Sequence, residues 1–75
     1  MYNILICDDD RDIVSALDIY LTSEGYHTIL TYDGAQAVQA ARENDIHLIL
    51  MDVMMPNLDG IRATAKLREV SNVPI

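Results

Sequence analysis

The chain has 75 residues, room for one domain at most, and a chain this short buries only about 60 to 65% of the surface its unfolded form exposes. Twelve acidic residues against five basic ones leave a formal charge of -7, which repels nucleic-acid phosphates and anionic lipid and makes cations and basic surfaces the expected partners. No apolar run approaches the roughly 18 residues of a membrane span, Met1-Tyr2-Asn3 carries no basic leader, and a single cysteine excludes an internal disulfide, so a cytoplasmic, reducing location is expected.

Ile4-Leu5-Ile6-Cys7 is a continuous apolar run, the pattern of a strand covered on both faces, and Asp8-Asp9-Asp10 follows at once. Cys7 reads as a small core residue. From Asp12 the period becomes 3.6 residues: Ile13, Val14, Leu17, Tyr20 and Leu21 share a stripe, with Asp18 and Glu24 off it, which predicts an amphipathic helix. Gly25 ends this helix as a residue able to take positive φ, and Tyr26 stands where a Schellman motif puts its apolar contact. His27–Thr31 is short and rich in β-branched residues, a second strand, and Asp33 is placed to cap the helix that follows over 35–43. Ala37, Val38 and Ala41 face one side of that helix, small enough to approach a sheet closely, and Asn44-Asp45 ends it.

His47-Leu48-Ile49-Leu50-Met51 is the second strongly apolar run, a third strand, and it too closes on a carboxylate, Asp52. Met55-Pro56-Asn57-Leu58-Asp59-Gly60 is a loop in which Pro56 holds its predecessor extended and Asp59 caps a helix over 60–69, with Ile61, Thr64 and Leu67 facing inward. Val70-Ser71-Asn72 breaks that helix, and Val73-Pro74-Ile75 reads as the approach to a fourth strand.

Strands alternating with helices imply right-handed crossovers and a parallel sheet. The expected fold is α/β, a three-layer doubly wound sheet of strand order 2-1-3. In such a sheet all strand carboxyl ends share one rim, so Asp8, Asp9 and Asp52 converge if the first and third strands are neighbours, at the switch point where ligands of open α/β sheets bind. Crowded carboxylates raise one another's pKa unless a cation offsets the charge. Hard oxygen donors favour Mg2+, which keeps several waters and uses one or two carboxylates plus a phosphate oxygen. An incoming phosphoryl group would complete that coordination, the ion neutralising charge as an Asp oxygen attacks phosphorus to give an acyl phosphate.

Asp8-Asp9-Asp10 after the first strand, with Asp52-Val53-Met54-Met55-Pro56-Asn57-Leu58-Asp59-Gly60 after the third, resembles the receiver domain of bacterial two-component response regulators. The Asp-x-x-Met-Pro-x-x-Asp-Gly motif is highly specific, and the resemblance spans the whole chain, including Asp33-Gly34-Ala35-Gln36-Ala37; the style leans towards the OmpR/PhoB type of transcriptional regulator. The resemblance implies the flavodoxin-like (CheY-like) fold, with Asp52 as phosphoacceptor, Asp9 and Asp52 as direct Mg2+ ligands, Asp8 as a ligand through water, and the backbone carbonyl of Met54 as the remaining protein ligand. It implies a phosphohistidine on a sensor histidine kinase as donor and an output such as transcription. Pro56 and Gly60 would shape the loop, and Met54 would occupy a position that tunes the lifetime of the phosphoryl group. The family pattern also places a Ser or Thr after a fourth strand and a Lys after a fifth. Neither position falls within these residues, and Lys66, expected to face solvent, does not replace the Lys.

Competing readings of the same residues fail or are blander. Asp8, Asp10 and Asp12 mimic the start of an EF-hand loop, but Ile13 stands where Gly is required and Ile19 where the bidentate Glu belongs. Asp10 and Asp12 are first-turn acids that favour the helix dipole. His27 and His47 lack metal-ligand spacing and read as surface or boundary residues, and the scattered tyrosines form no stacking platform for bases. An Asp-nucleophile phosphohydrolase, an enzyme rather than an acceptor, would want a second Asp where Met54 stands.

The chain reads as the N-terminal part of a receiver, with two more strand–helix units, roughly 50 residues, needed to reach the usual domain size of about 100 to 150. The third strand would then be an open apolar edge, a template for pairing with another chain, so a homodimer or swapped oligomer joined there is expected. Two function classes follow: a phosphoacceptor module, or a self-associating structural or interaction fragment that no longer switches.

Overall fold

In the computed structural model, which describes residues 1–52 and 60–75, the chain runs β1 (Asn3–Cys7), α1 (Arg11–Ser23), β2 (His27–Thr31), α2 (Gly34–Glu43), β3 (Leu48–Met51) and α3 (Gly60–Val70). The three strands form one parallel sheet of order β2-β1-β3. β1 is its centre, which is why its sequence is apolar without alternation: Ile4 and Ile6 point to one face, Leu5 and Cys7 to the other, and all four are buried.

The helices divide between these faces. Val14, Leu17 and Leu21 of α1 pack on Ile4, Ile6, Leu48 and Leu50. On the opposite face Ala37, Val38 and Ala40 of α2 and Leu67 of α3 join Leu5, Cys7 and Ile49 in the main core. Leu5, Ile49 and Leu67 are fully enclosed, each burial contributing roughly 1.5–3 kcal/mol against an exposed reference. Among the described residues Thr31 is the buried polar one, and its hydroxyl donates to the Ile6 carbonyl at 2.8 Å, so the β2–β1 seam carries no uncompensated group there.

The ends of the helices follow their capping chemistry. Asp10 is the N-cap of α1, accepting from the backbone N–H of Asp12 at 3.0 Å and of Ile13 at 3.4 Å, so α1 opens at Arg11. At its other end Gly25 adopts φ 92°, Gly25 N–H donates to Thr22 O and Tyr26 N–H to Leu21 O, both at 3.1 Å, the paired bonds of a Schellman motif. Asp33 caps α2 through Gln36 N–H at 2.8 Å. The expected cap of α3, Asp59, lies outside the described residues, as do Met54 and Pro56.

Several positions depart from the periodicity. Ile13 and Tyr20 stay exposed, because α1 is the one described helix on its face and meets the sheet along the Val14–Leu17–Leu21 line alone. Asp18, expected off the apolar stripe, is half-buried against β2, where it accepts from the hydroxyls of Thr28 at 2.5 Å and Thr22 at 3.1 Å. On α3 the inward positions are Ala63 and Leu67, while Ile61 is 73% exposed and Thr64 is half-buried. The small Ala63 lets α3 pack closely on the alanine-rich α2, which turns Ile61 outward. Val70, expected to break α3, is its last residue. The C-terminal residues do approach the sheet as a next strand would: Ile49 N–H donates to the Pro74 carbonyl at 2.9 Å, so the outer edge of β3 is engaged at its middle by the chain itself.

Candidate metal and phosphoryl site

The register of the two central strands builds the site. Cys7 pairs with Met51, and Asp52 N–H extends the ladder to the Cys7 carbonyl at 2.9 Å, so the next residues of the two strands, Asp8 and Asp52, emerge side by side at the carboxyl rim. Asp8 N–H bonds Thr31 O at 3.4 Å on the β2 side, which fixes where β1 stops. The chain then turns sharply: Asp10 N–H donates to Asp8 Oδ1 at 2.9 Å, an Asx-type turn that leaves Asp9 at the rim. One carboxylate oxygen from each of Asp8, Asp9 and Asp52 lies within 4.8 Å of the others, with Asp8 and Asp52 half-buried and Asp9 exposed. All three carboxylates expected to converge are therefore together; the Met54 carbonyl is among the undescribed residues.

Burial and crowding both act on the cluster, and Asp8 feels them. Burial pushes the Asp8 carboxyl above the ordinary aspartate range, the Asp10 backbone bond pulls against this, and the negative charges of Asp52 and Asp9 add to the rise. The neighbouring Cys7 thiol is also raised, first by burial and further by Asp33, Asp8 and Asp52, although its bond with Thr31 opposes the shift. Its Sγ donates to the Asp33 carbonyl at 3.2 Å, so Cys7 is a protonated wall residue rather than a soft metal ligand. A crevice of about 510 Å3 opens beside Asp8 and Asp52, walled by Leu17, Leu50, Met51 and Ile75.

One neighbour of the cluster escaped the sequence pattern. The Arg11 guanidinium lies 4.0 Å from the centroid of the Tyr32 ring, joining the first turn of α1 to the end of β2. Both residues closely follow strands that are parallel neighbours, which places them at the same rim; nothing in their spacing announces the stack. The histidines occupy the opposite end of the sheet. His47 Nδ1 accepts from Asn3 N–H at 2.9 Å, its Nε2 is 3.8 Å from Asp45 Oδ2, and its ring meets Tyr2 edge-on; His27 Nδ1 is 3.1 Å from Asn3 Oδ1. Lys66 is exposed on α3, and no helix among the described residues is long and apolar enough to cross a membrane.

Residues 4–75 match the family model of the response regulator receiver domain. The chain belongs to that family. It is 43% identical over 72 residues to the DNA-binding response regulator MtrA of Mycobacterium tuberculosis, a match covering 96% of this chain and 32% of MtrA. Among solved structures, a two-component response regulator from Clostridium difficile superposes with a TM-score of 0.96 at 29% identity, over 100% of this chain and 62% of that one. The response regulator TrrA of Thermotoga maritima, solved in complex with Mg(2+)-BeF, superposes with a TM-score of 0.87 at 28% identity, over 92% of this chain and 60% of that one. TrrA has also been solved with the histidine kinase ThkA, with a TM-score of 0.88 at 27% identity, over 95% of this chain and 61% of that one. The receiver chain thus spans about a third of its curated relative and about three-fifths of these solved chains. Its β2-β1-β3 sheet and helix order are those of the flavodoxin-like receiver fold.

Proposed function

We propose that this receiver takes a phosphoryl group from a phosphohistidine of a sensor histidine kinase onto Asp52, with Mg2+ as cofactor, and regulates an output such as transcription in the cytoplasm, in the manner of an OmpR/PhoB-type regulator. The observation that carries this reading is the meeting of Asp8, Asp9 and Asp52 oxygens within 4.8 Å at the rim between β1 and β3. Three hard oxygen donors, one on a carboxyl whose pKa is raised by burial and by its neighbours, fit a small divalent cation. Asp9 and Asp52 would bind it directly and Asp8 through water, and the Met54 backbone carbonyl, outside the described residues, would be the remaining protein ligand. Bound there, Mg2+ supplies charge neutralisation for the transferring phosphoryl group.

The Asp52 carboxylate oxygen forms the new bond to phosphorus as the bond from phosphorus to the donor imidazole nitrogen breaks, leaving an acyl phosphate on Asp52. Asp52 is suited to this by its half-buried position at the end of a strand, where its backbone bond to Cys7 holds it against the crevice. The module is an acceptor in a relay rather than a turnover enzyme. TrrA's complexes with Mg(2+)-BeF and with a histidine kinase support the choice of ion and donor class. Incubation with Mg2+ and acetyl phosphate followed by intact-mass measurement tests it: the wild type gains one phosphoryl group and Asp52→Ala gains none. Equal gain by both would refute the assignment.

A second reading, a self-associating receiver fragment that does not switch, is favoured by the α1-side surface of β3. There Leu48 and Leu50 are half-buried beside the crevice at the site and a second one of about 440 Å3 lined by Tyr2, Ile4, Leu21, Tyr26, His47 and Leu48. Pairing of two copies at the β3 edge would have to displace or extend the Ile49–Pro74 bond. Sedimentation showing a dimer at micromolar concentration supports this reading, and a monomer across that range removes it.

A further inference from the structure

The stack of Arg11 on Tyr32 poses an electrostatic question. Arg11 follows Asp8, Asp9 and Asp10 directly and precedes Asp12, in a chain of net charge -7, yet among the described residues its side chain meets an aromatic face and not a carboxylate. Its flexible tether starts one residue from the N-cap of α1, at the rim where the three carboxylates meet, and the side chain is exposed, so that among the described residues the ring is what holds it. A guanidinium matches a carboxylate in a two-pronged hydrogen-bonded geometry that ammonium lacks, which makes Arg11 the natural internal competitor for the cluster. Exposed cation–π contacts and exposed ion pairs are of similar strength, so an aromatic ring in the right place decides between the two positions.

Tyr32 is built for that role. It directly follows β2, its ring packs against the α1-side core, and its backbone N–H is held by Gln36 Oε1 at 2.9 Å, so the ring is anchored while the Arg11 side chain is exposed. We propose that Tyr32 is a positioning residue that parks Arg11 away from the acidic cluster and so keeps the cluster available to a divalent cation. This rests on the Mg2+ reading above. With the ring removed, the guanidinium visits the carboxylates, and the apparent cation affinity falls by the fraction of molecules in which it does so.

The test is a Mg2+ titration followed by backbone amide NMR shifts at Asp9 and Asp52, on wild type, Tyr32→Leu, Tyr32→Phe, Arg11→Gln and the Arg11→Gln/Tyr32→Leu pair. Tyr32→Leu should weaken binding about two- to threefold, as expected when the competent fraction drops to between a third and a half. Tyr32→Phe, which keeps the ring face, and the double variant should both bind as wild type does. Equal affinity in Tyr32→Leu, or a loss that persists in the double variant, overturns the proposal, because a purely structural role of the ring would not depend on Arg11. Should Tyr32→Leu fail to fold, the Arg11 side-chain protons of the wild type decide. Upfield ring-current shifts that vanish in Tyr32→Leu peptide or in urea support the stack, and ordinary arginine shifts in the folded protein overturn it. A wild type whose amides do not respond to Mg2+ at all refutes the metal reading itself, and this proposal with it; a responsive wild type without Arg11–Tyr32 coupling refutes this proposal alone.

Discussion

Asp8 shows most clearly what the carboxylate cluster costs and what would relieve it. Burial first, and then the charges of Asp52 and Asp9, raise its pKa in the folded chain above the unfolded value, which for aspartate is about 3.9. The folded state therefore binds more protons between those two values, and the stability that Asp8 contributes is fully present below the unfolded pKa and lost as pH rises through the folded one. In chelator, the wild type should lose stability relative to Asp8→Asn as pH climbs through the acid range, read as the difference between the two melting curves at each pH. Parallel curves across that range would contradict the repulsion argument. Cys7 carries a second prediction at this scale: with its thiol raised by burial and nearby carboxylates, it should resist alkylation in the folded protein at mildly alkaline pH and react at an ordinary rate in urea, as followed by mass.

The clustering of Asp8, Asp9 and Asp52 was legible in the sequence because each stands directly after an apolar strand run, and parallel strands end together. The Arg11–Tyr32 stack was not, because a side-chain contact between the start of a helix and the end of a strand leaves no period to read.

Single elements owe their limits to a few residues whose removal has a calculable effect. Gly25 holds φ 92° with nothing near an added Cβ, so Gly25→Ala should destabilise by about 1 kcal/mol through backbone strain alone. Chemical denaturation with an unchanged slope checks this, and a neutral substitution would show that the Schellman turn does not hold in solution. α3 offers a contrast that separates its faces: Leu67→Ala should cost about 2–5 kcal/mol, whereas Ile61→Ser should stay within about 0.5 kcal/mol.

The helices were readable as elements, since capping aspartates and a terminal glycine are local signals. Their rotation was less so. Ile13, Tyr20 and Ile61 fit an apolar stripe on hydropathy, and only the neighbour a helix finds determines which part of the stripe is buried. Asp18 shows the reverse, a charged residue drawn to the sheet because two threonine hydroxyls satisfy it.

Across the whole molecule the order of elements implied the topology, because alternation of strands and helices with right-handed crossovers leaves few arrangements and a central β1 needs an apolar sequence on both faces. The edge of β3 was half legible: Val73-Pro74-Ile75 reads as the approach to a next strand, but that the Pro74 carbonyl would bond an edge expected to be open is set by the backbone and not by any side-chain pattern. Because a ligand that binds the folded state stabilises it by mass action, saturating Mg2+ should raise the melting temperature of the wild type and leave that of Asp9→Asn/Asp52→Asn almost unmoved. Equal shifts in both proteins would place the ion elsewhere.

The most direct measurement is chemical trapping of the acceptor. After incubation with acetyl phosphate and Mg2+, borohydride reduces an aspartyl phosphate to homoserine, and peptide mass spectrometry locates it. Conversion at position 52, abolished by chelator, is the result expected if β1 and β3 bring their terminal carboxylates together to bind Mg2+ and accept phosphate; conversion at another residue, or at position 52 in chelator to the same extent, would contradict it.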